Sequence, residues 1–385
     1  MTKKVNRGYK VRIYPTEFQR DIFDQTFGCV RLIWNYSLME RKEIYELYKD
    51  YPVLYKSHKY KTQADWKREF SFLKNVDSQA LATTQQELLS AYNNFYKKSH
   101  KHPIFKSKKS NKNSYTSHTT NNNIRIENNI IKLPKVGWVK LKNKRKTLMD
   151  SSIIKAATIS KKSSGKYYVS LRLEIEQEVK EIDSSVTKSI GLDFSLNGFY
   201  VSSEGKKANY PMFLHVSLEK LAKYQRKLSK KVKGSNEYIK QKLKVSKLHE
   251  KITNQRNDFL HKQSRYLVNN YDIISAETLD LEAMLQNKYF SKKIIDISYH
   301  KFLSYLKYKC EDEGKTFHQV DMYYASSKIC SACGTKKKTL PLSQRVYSCE
   351  CGNVIDRDIN AALNICIEGI KTFYTKEDRI TSIAW

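Results

Sequence analysis

The amino-acid sequence predicts a multidomain α/β protein: a small β-barrel with a helical insert, followed by an α/β domain with a cysteine-rich insert. Three observations lead to this fold class. The chain has 385 residues, which at roughly 100–200 residues per domain predicts two or three domains. Short segments of alternating polarity fill the stretch from 124 to 175. Beyond 188, apolar strands are separated by helical patterns, which is typical of α/β domains.

The first hundred residues predict one strand and then a helical module. Tyr9-Lys-Val-Arg-Ile-Tyr14 alternates in polarity like a strand and is followed by Pro15. Thr16-Glu-Phe-Gln19 has the form of a capping box, and apolar residues recur at helical spacing from Phe18 to Leu38. A second helical stretch runs from about 77 to 96. We therefore predict the first barrel strand at 1–14 and a helical module at 15–100.

The pattern then changes to short strands separated by Asn, Gly and Ser turns. A small β-barrel or a curled sheet over 101–182 is the natural interpretation. The strand at 9–14 could complete it, because that strand has no local partner. The segment Asp183-Ser-Ser-Val-Thr-Lys188 is the predicted linker. The strands are predicted at 124–126, 130–133, 137–141, 157–160 and 166–173.

The second half of the chain alternates between strands and helices. Two apolar strands flank Asn197-Gly198, which is a strong hairpin signal. A basic helical pattern broken at 234–236 predicts two antiparallel helices. The remaining predicted elements are a buried strand at 271–277, a helix at 299–313, a strand at 317–321, a cysteine-rich insert at 326–355 and a last helix from 356 to about 370.

The charge of the chain indicates a polyanionic partner. Lys and Arg number 71 against 39 Asp and Glu, which gives a formal net charge of +32. This excess is too large for an ordinary metabolic enzyme. Most of it lies in two windows, 97–146 and 217–265, where Tyr, Phe and Trp are interleaved with the basic residues. The windows therefore predict nucleic-acid-binding surfaces with stacking platforms rather than two solvated faces.

The same composition excludes several classes of protein. The N-terminal residues lack the apolar core of a secretory signal, and no stretch approaches 18 consecutive apolar residues. With 12 Gly and 6 Pro the chain is neither collagen-like nor of low complexity. Seven cysteines, four of them clustered late, predict a metal site rather than a disulfide framework. We therefore expect a protein of a reducing compartment, the cytoplasm.

Carboxylates stand where two strands and a helix would bring them together. Asp193 lies within an apolar strand, Glu277 ends another, and Asp356 and Asp358 open the last helix. Each alone could serve structure, as a turn acceptor, a rim residue or a helix cap. A buried carboxylate is costly unless it is paired or binds a metal. Together they predict an oxygen-only Mg²⁺ site of the kind in which two ions support nuclease chemistry.

Two cysteine pairs predict one structural zinc ion. Cys330-Ser-Ala-Cys333-Gly and Cys349-Glu-Cys351-Gly are Gly-bearing knuckles separated by 15 residues. Such paired knuckles are typical of a four-thiolate zinc ribbon, although the second pair is C-x-C rather than C-x-x-C. Three further cysteines fall on predicted helices and are predicted to be buried thiols: Cys29, Cys310 and Cys366.

With these motifs the sequence resembles the TnpB family of transposon-encoded RNA-guided nucleases, relatives of the type V CRISPR effectors. The resemblance covers nearly the whole chain. Its most specific segments are Tyr324-Ala-Ser-Ser-Lys-Ile-Cys330-Ser-Ala-Cys333-Gly, Arg345-Val-Tyr-Ser-Cys349-Glu-Cys351-Gly and Asp356-Arg-Asp-Ile-Asn-Ala-Ala-Leu-Asn-Ile365. Concordant segments are Gly191-Leu-Asp193, Tyr9–Pro15, Pro103–Lys109 and Leu133–Gly137.

The resemblance implies a RuvC-like, RNase H-type nuclease domain over 183–325 and 356–385, interrupted by a zinc ribbon at 326–355. Its catalytic triad maps onto Asp193, Glu277 and Asp358. We choose Asp358 over Asp356 because the family's aspartate lies two residues before Asn-Ala-Ala, here 360–362. The barrel corresponds to the family's wedge domain and the helical module to its recognition domain.

The implied function is that of an RNA-guided, Mg²⁺-dependent DNA endonuclease of an insertion-sequence element. The resemblance implies two catalytic Mg²⁺ ions bound by the triad and one structural Zn²⁺ bound by the four clustered cysteines. The implied partners are a guide RNA from the transposon end and target double-stranded DNA, cut beside a short adjacent motif. Base pairing by the guide supplies sequence specificity in such systems. We expect a monomer that associates with the nucleoid when it is bound to DNA.

Six residues are predicted to contact nucleic acid. The polar run Ser114–Asn123 offers groups suited to base edges, with a plain flexible loop as the alternative. Three aromatic residues in the basic windows are predicted to stack on bases. The six residues are Tyr115, Thr119, Thr120, Asn121, Trp138 and Tyr224.

Three other functions share parts of this pattern. A miniature type V CRISPR effector would use the same chemistry, and only the gene neighbourhood separates it from a transposon-encoded nuclease. A cleavage-inactive, guide-directed repressor should have lost triad carboxylates, which this sequence retains. A transposase that catalyses strand transfer could also use a metal–carboxylate site, and an assay on transposon ends would separate the two activities.

Overall fold

The computed structural model describes residues 2–110, 113–142, 152–178, 188–287, 291–341 and 343–383. The chain forms two compact units, Met1–Glu178 and Val179–Trp385. The predicted linker at 183–188 lies outside the described residues except for Lys188. Among the helices that are described, none combines the length and apolarity needed to cross a membrane.

The first unit is built on an antiparallel sheet in which the N-terminal strand is central. The described strands run in the order β2-β6-β7-β1-β5-β4-β3. Strand β1 pairs with β7 from Thr2 to Ile13 and with β5 at its end, so the N-terminal strand does complete the sheet, as predicted. The strands are β1 (Thr2–Tyr14), β2 (Asn113–His118), β3 (Arg125–Glu127), β4 (Ile130–Leu133), β5 (Gly137–Leu141), β6 (Ile153–Lys161) and β7 (Tyr167–Glu178).

In the described part of the first unit the sheet is open, whereas the sequence predicts a barrel. Among the described strands, the edge strands β2 and β3 do not pair with each other. Strand β3 is only three residues long, and it turns directly into β4 through Asn128 and Asn129, which both adopt positive φ. Such a turn suits a two-residue hairpin loop. The alternative of a curled sheet therefore describes the observed pairing better than the barrel.

Helix α1 (Glu17–Tyr48) begins at the predicted capping box and covers the inner face of this sheet. The Thr16 hydroxyl accepts the Gln19 N–H, and the Gln19 side chain accepts the Thr16 N–H. Phe23 and Phe27 pack against the inward-facing residues of the strands in one apolar core. Phe18, in contrast, is 73% exposed, so the buried face of the helix begins one turn later than its spacing suggests.

Three further helices complete the helical module. Asp77 caps α4 by accepting the Gln79 N–H, which confirms the second helical stretch predicted there. Leu38 and Trp34 of α1 pack against Leu88 and Tyr92 of α4. The helices are α2 (Pro52–Ser57), α3 (Gln63–Glu69) and α4 (Ser78–Tyr96).

The second unit contains a smaller mixed sheet of order β11-β10-β8-β9. Strand β8 is parallel to β10, and β10 is parallel to β11. Strand β9 runs antiparallel to β8 through the predicted turn at 197–198. The strands are β8 (Ser189–Ser195), β9 (Phe199–Ser202), β10 (Ile273–Ala276) and β11 (Thr316–Gln319).

Helices surround this sheet, and two of them form the predicted basic hairpin. Helices α5 and α6 pack through Leu221, Leu248 and Ile252, and Ser235 caps α6 after the predicted break. A two-stranded ribbon, β12 (Val346–Ser348) and β13 (Val354–Asp356), precedes the last helix. The helices are α5 (Phe213–Ser229), α6 (Asn236–Asn270), α7 (Leu281–Gln286), α8 (Ser291–Ile297), α9 (Tyr299–Glu313) and α10 (Arg357–Ile383).

Helix α10 lies unusually close to strand β8, because glycine and alanine line the contact. A Cβ atom added to Gly191 would overlap the carbonyl oxygen of Ala362 and approach the Cys366 N–H nitrogen to 2.5 Å. Ala361 and Ala362 are both buried, as expected from their small size at this position. This backbone-to-backbone contact holds the N-terminal part of α10 against β8.

Candidate active site and nucleic-acid surfaces

Asp193 and Glu277 lie side by side because they follow paired positions of two parallel strands. Leu192 of β8 pairs with Ala276 of β10, and each carboxylate is the next residue in its chain. One carboxylate oxygen of Glu277 accepts the Phe194 N–H at 2.6 Å. Parallel strands end at the same edge of a sheet, which is where functional groups of α/β domains gather. Both side chains are partly buried there.

Asp358 reaches the same place from the first turn of α10. Its side chain is 27% exposed and lies 3.6 Å from the Arg357 guanidinium and 4.0 Å from that of Arg345. Its charge acts on both Asp193 and Glu277. The structure therefore brings the three predicted carboxylates together. Their oxygens do not all lie within 4.8 Å of one another; among the described residues, only four cysteines form a metal-ligating group that tight.

The pKa values of two carboxyl groups show the electrostatic character of this cluster. Burial raises the pKa of Asp193 well above its usual value, and the charges of Glu277 and Asp358 raise it further. Burial also raises the pKa of Glu277 to about 7, although the bond from the Phe194 N–H opposes this shift. The folded chain thus holds protons that the unfolded chain releases near pH 4. The cluster destabilises the fold as pH rises from there to about 7, and a bound cation would offset this cost.

Asp356 has a different task from Asp358. Its carboxylate accepts the N–H groups of Asp358 and Ile359, at 2.8 and 3.2 Å, and so caps α10. These bonds orient the Asp356 side chain toward the backbone of the helix. The geometry supports the choice of Asp358 as the third member of the site.

Tyr299 is a site residue that the sequence reasoning missed. Its ring is buried between Phe194 and Phe199, and its hydroxyl has no hydrogen-bond partner among the described residues. Burial raises the pKa of Tyr299, and the charges of Glu277 and Asp193 raise it further, so the phenol lies near both carboxylates. A tyrosine at the start of an amphipathic helix is normally part of a core, and the sequence offers no signal that this phenol lies near the carboxylates.

The four clustered cysteines form a compact thiol group whose dimensions fit zinc. The Sγ atoms of Cys330 and Cys351 are 3.7 Å apart, those of Cys333 and Cys349 are 3.6 Å apart, and all four lie within 4.8 Å of one another. A tetrahedron with Zn–S bonds of about 2.3 Å has edges of about 3.8 Å. The four thiolates would therefore hold one Zn²⁺, and the shorter C-x-C knuckle does not keep Cys351 from reaching the group.

Two buried asparagines tie this cysteine group to helix α10. The Asn360 side chain accepts the Ser331 N–H and donates to the Ile329 carbonyl, at 3.0 and 2.7 Å. The Asn364 side chain donates to the carbonyls of Ile329 and Ser326. Sequence reasoning missed this function. Two asparagines four residues apart on an otherwise apolar helix face are the signal that could have revealed it.

The structure does not support the stacking role predicted for Tyr115. This residue is only 5% exposed, and its ring packs against Phe23 and Phe27 in the core of the first unit. The polar run is predicted to offer its side chains to base edges, but Asn113–His118 is strand β2, and strand geometry points alternate residues inward. Tyr115 occupies one of the inward positions.

Three of the other predicted contact residues of the first unit are accessible: Thr120 and Asn121 are exposed, and Trp138 is partly buried. The Thr119 hydroxyl, in contrast, is buried and has no hydrogen-bond partner among the described residues, so the structure does not support its predicted contact with a base. The segment 119–123 is a hydrogen-bonded turn rather than a plain loop: Asn123 accepts the Thr120 N–H, and Asn121 and Asn122 adopt positive φ. The Arg125 guanidinium lies 5.3 Å from the centre of the Trp138 ring.

Tyr224 lies in a basic groove of the α5–α6 hairpin. Its ring is partly exposed, with the Lys220 ammonium 5.8 Å from the ring centre. Exposed lysines of both helices line the groove together with one acidic residue, Glu219. This combination of cations and an aromatic ring suits a phosphate backbone with a base nearby. The basic lining residues are Lys220, Lys223, Lys227 and Lys244.

Comparisons with known proteins find matching family models and a similar fold. Three family models match the chain: the IS605 OrfB family, described as a probable transposase, over 170–288; the Cas12f1-like TNB domain over 299–365; and a helix-turn-helix domain over 1–50. The last range contains one strand and one long helix in this structure. The fold is similar to that of Cas12f1 in a cryo-EM complex with sgRNA and target DNA, with a TM-score of 0.60, 14% identity and coverage of 94% of this chain and 99% of the other.

Two curated relatives align over almost the whole chain. The "Putative RNA-guided DNA endonuclease" of Streptomyces pristinaespiralis is 32% identical and covers 96% of this chain and 91% of its own length. The protein InsQ of Escherichia coli (strain K12), with the same description, is 29% identical over 94% of this chain and 92% of its own length. These matches place the chain in the class of IS605 OrfB proteins and their Cas12f1-like relatives. Within that class, the chain belongs to the TnpB family of RNA-guided DNA endonucleases.

Proposed function

We propose that this protein is an RNA-guided, Mg²⁺-dependent DNA endonuclease of an insertion-sequence element, which cuts target DNA beside a short adjacent motif. The observation that carries the proposal is the convergence of Asp193, Glu277 and Asp358 at one edge of the small sheet. The names of the full-length relatives support the same activity. In this proposal the second unit contains a RuvC-like nuclease domain with a zinc ribbon, and the protein acts as a monomer.

In this proposal some residues of the site bind the metal ion, and others orient a carboxylate or contact the DNA phosphate. Asp193, Glu277 and Asp358 would hold Mg²⁺, because their oxygen ligands and shared negative charge suit a hard cation. When bound, Mg²⁺ supplies an activated water and stabilises the leaving oxygen of the phosphodiester. The Phe194 N–H fixes one oxygen of Glu277 and thereby orients the carboxylate. The guanidinium groups of Arg345 and Arg357, beside Asp358, place positive charge where a DNA phosphate would approach.

The partner of the basic surfaces is proposed to be one defined RNA. Protein expressed together with the downstream flank of its gene is expected to copurify with a discrete transcript from that locus. Many phosphate contacts make affinity fall steeply with salt, whereas a folded RNA adds stacking contacts that salt does not screen. Sequencing identifies the bound RNA. DNA cleavage assays with and without RNase treatment then measure how far cutting depends on that RNA. A random sample of cellular RNA, or undiminished cutting after RNase treatment, would overturn RNA guidance.

The turn at 119–123 is proposed to read the motif beside the target. Changing Thr120→Ala, Asn121→Gly and Asn122→Gly removes its exposed side-chain hydrogen-bonding groups, while glycine keeps the positive φ that both asparagines adopt. We expect the motif preference to relax while guide binding persists, because base-edge contacts carry the specificity. Selection of cleaved targets from a randomised flank measures the preference.

A second turn of the same unit provides a matched control. Asn128 and Asn129 also adopt positive φ, in the turn between β3 and β4. The variant with Asn128→Gly and Asn129→Gly should retain the original motif preference. If the variant at 120–122 also retains the original motif preference, the turn at 119–123 has only a structural role.

A further inference from the structure

A large open cavity in the helical module contains an unusual number of tyrosines. Its volume is about 1090 Å³, which is at the upper end of the range for ligand pockets. It lies between the C-terminal halves of α1 and α4, with α2 and residues 58–60 along one side. Its characteristic lining residues are Tyr45, Tyr55, Tyr60, Tyr92, Tyr96 and Arg41, which we call the tyrosine pocket.

The aromatic rings of the pocket contact one another. Burial raises the pKa values of Tyr60 and Tyr96 and the Tyr55 hydroxyl raises them further, so the three phenols lie close together. The rings of Tyr45 and Tyr55 meet edge to face with their centres 6.1 Å apart. Tyr92 is 9% exposed, whereas Tyr45 and Tyr96 are 53% and 64% exposed. The pocket therefore has a buried aromatic floor and accessible aromatic walls.

Positive charge is concentrated in the same place. The Arg41 guanidinium lies 4.0 Å from the centre of the Tyr60 ring and 5.5 Å from that of Tyr92. Among the described residues, Arg41 forms no ion pair. Lys42 and Lys56 add two exposed cations at the rim. The acidic lining residue, Glu46, is paired with Lys49. The cavity thus combines flat aromatic surfaces with a surplus of positive charge.

These features select a ligand that is flat and negatively charged. An apolar helix or peptide would leave the phenol hydroxyls and cations without partners, which is costly in a buried interface. A nucleotide satisfies both requirements: its base stacks on tyrosine rings or on the guanidinium plane, and its phosphate pairs with lysine and arginine. Arg41, Lys42 and Lys56 lie outside the two basic windows at 97–146 and 217–265. The nucleic-acid-binding surfaces predicted for those windows therefore do not include the cations of the pocket.

We propose that the tyrosine pocket binds one unstacked nucleotide of a nucleic-acid strand that the protein holds. The base lies against the exposed rings of Tyr45 and Tyr96, and the adjoining phosphate is contacted by Arg41, Lys42 or Lys56. The inference rests on the proposed function for the presence of a bound strand. Either the guide RNA or a DNA strand displaced from the target can supply such a nucleotide, and the experiment distinguishes the two sources.

Binding measurements on wall variants test the pocket. The double variant Tyr45→Ala/Tyr96→Ala removes two exposed rings without opening the apolar core. Because stacking is not ionic, affinity for the strand that supplies the nucleotide should fall by roughly 5- to 150-fold with an unchanged salt dependence. The matched control is Tyr51→Ala, since Tyr51 is 62% exposed and does not line the cavity. The control should bind like the original protein.

Photo-crosslinking identifies the strand. One arm uses guide RNA that carries 4-thiouridine, and the other uses a target duplex that carries 4-thiothymidine in the displaced strand. Crosslinks in either arm to peptides that contain Tyr45, Tyr92 or Tyr96 support the proposal and identify the strand that supplies the nucleotide. The proposal is overturned if the Tyr45→Ala/Tyr96→Ala variant binds as tightly as Tyr51→Ala and no crosslink forms in either arm. If the unmodified protein binds no RNA at all, the failure lies with the proposed function instead.

Discussion

Replacing Asp193 with asparagine is expected to abolish DNA cleavage while guide and target binding survive. The asparagine side chain has the same shape but lacks the negative charge that binds Mg²⁺. Loss of one group that stabilises the reacting charge typically lowers rates by about 10²–10³-fold, and loss of a metal ligand should be at least as severe. Cleavage of a guide-matched plasmid, compared with binding of the same target by gel shift, measures the separation. Full activity of Asp193→Asn would remove this residue from the site.

Asp356→Ala provides the matched control for the triad. Asp356 lies two residues from Asp358 and caps α10 through two backbone N–H groups. Loss of such a cap costs about 1 kcal/mol of stability, so cleavage should persist near its original rate. Asp358→Ala should behave like Asp193→Asn. If Asp356 proves essential and Asp358 dispensable, the wrong aspartate has been chosen.

The inactive variant should also be at least as stable as the original protein without Mg²⁺. Burial and the charges of Glu277 and Asp358 raise the pKa of Asp193, so its ionised form is unfavourable in the fold. An uncharged asparagine removes that repulsion at neutral pH. Thermal unfolding of both proteins in Mg²⁺-free buffer tests this point. A variant that unfolds at a clearly lower temperature would show that its inactivity reflects misfolding rather than a lost ligand.

Cys330→Ser is the second change for which we expect a large effect. It should remove zinc and with it most of the cleavage activity, because structural zinc sites contribute about 10–16 kcal/mol of binding free energy to folding. Elemental analysis of protein purified without chelator should show about one zinc per chain in the original protein, as a closed four-thiolate site requires. The variant should contain almost none.

Cys29→Ala serves as the control for this prediction. Cys29 is buried in α1 of the first unit, among apolar residues. Its replacement should leave the zinc content unchanged. Folded and active original protein with almost no metal would contradict a structural zinc ion.

Loss of zinc should also disturb the active site, because two asparagines of α10 connect the cysteine group to the helix that carries Asp358. Asn360 bonds to the backbone of the first cysteine knuckle and lies two residues beyond Asp358. Disorder in the knuckle would therefore release the helix turn that holds Asp358. The cysteine group stabilises the position of a carboxylate that it does not contact.

Local signals in the sequence were enough to predict several elements. The capping box at Thr16, the Asn197-Gly198 turn and the break before Asn236 each act over a few residues, and the structure confirms all three. The positions of Asp193 and Glu277 also followed from local pattern, because each belongs to a short apolar strand. Their register, Leu192 beside Ala276, brings the two carboxylates together.

Other features depend on contacts between distant parts of the chain. Tyr115 is buried because β2 pairs with β6, some forty residues further on, and a polar run with one tyrosine gives no hint of that partner. Whether the edge strands β2 and β3 pair with each other is also a long-range property that local pattern does not define; among the described strands they do not pair. The tyrosine pocket likewise draws its residues from three helices, and no single segment suggests it.

The close contact between α10 and β8 determines when, during synthesis of the chain, the carboxylate site can be completed. Asp193 leaves the ribosome roughly 165 residues before Asp358, which is about 8–33 s at typical translation rates. The glycine at 191 leaves its strand exposed on one side until the alanines of α10 arrive. A nascent chain therefore carries two of the three carboxylates without being able to complete the site. We expect DNA near the translating ribosome to be safe from cutting until the last helix has emerged.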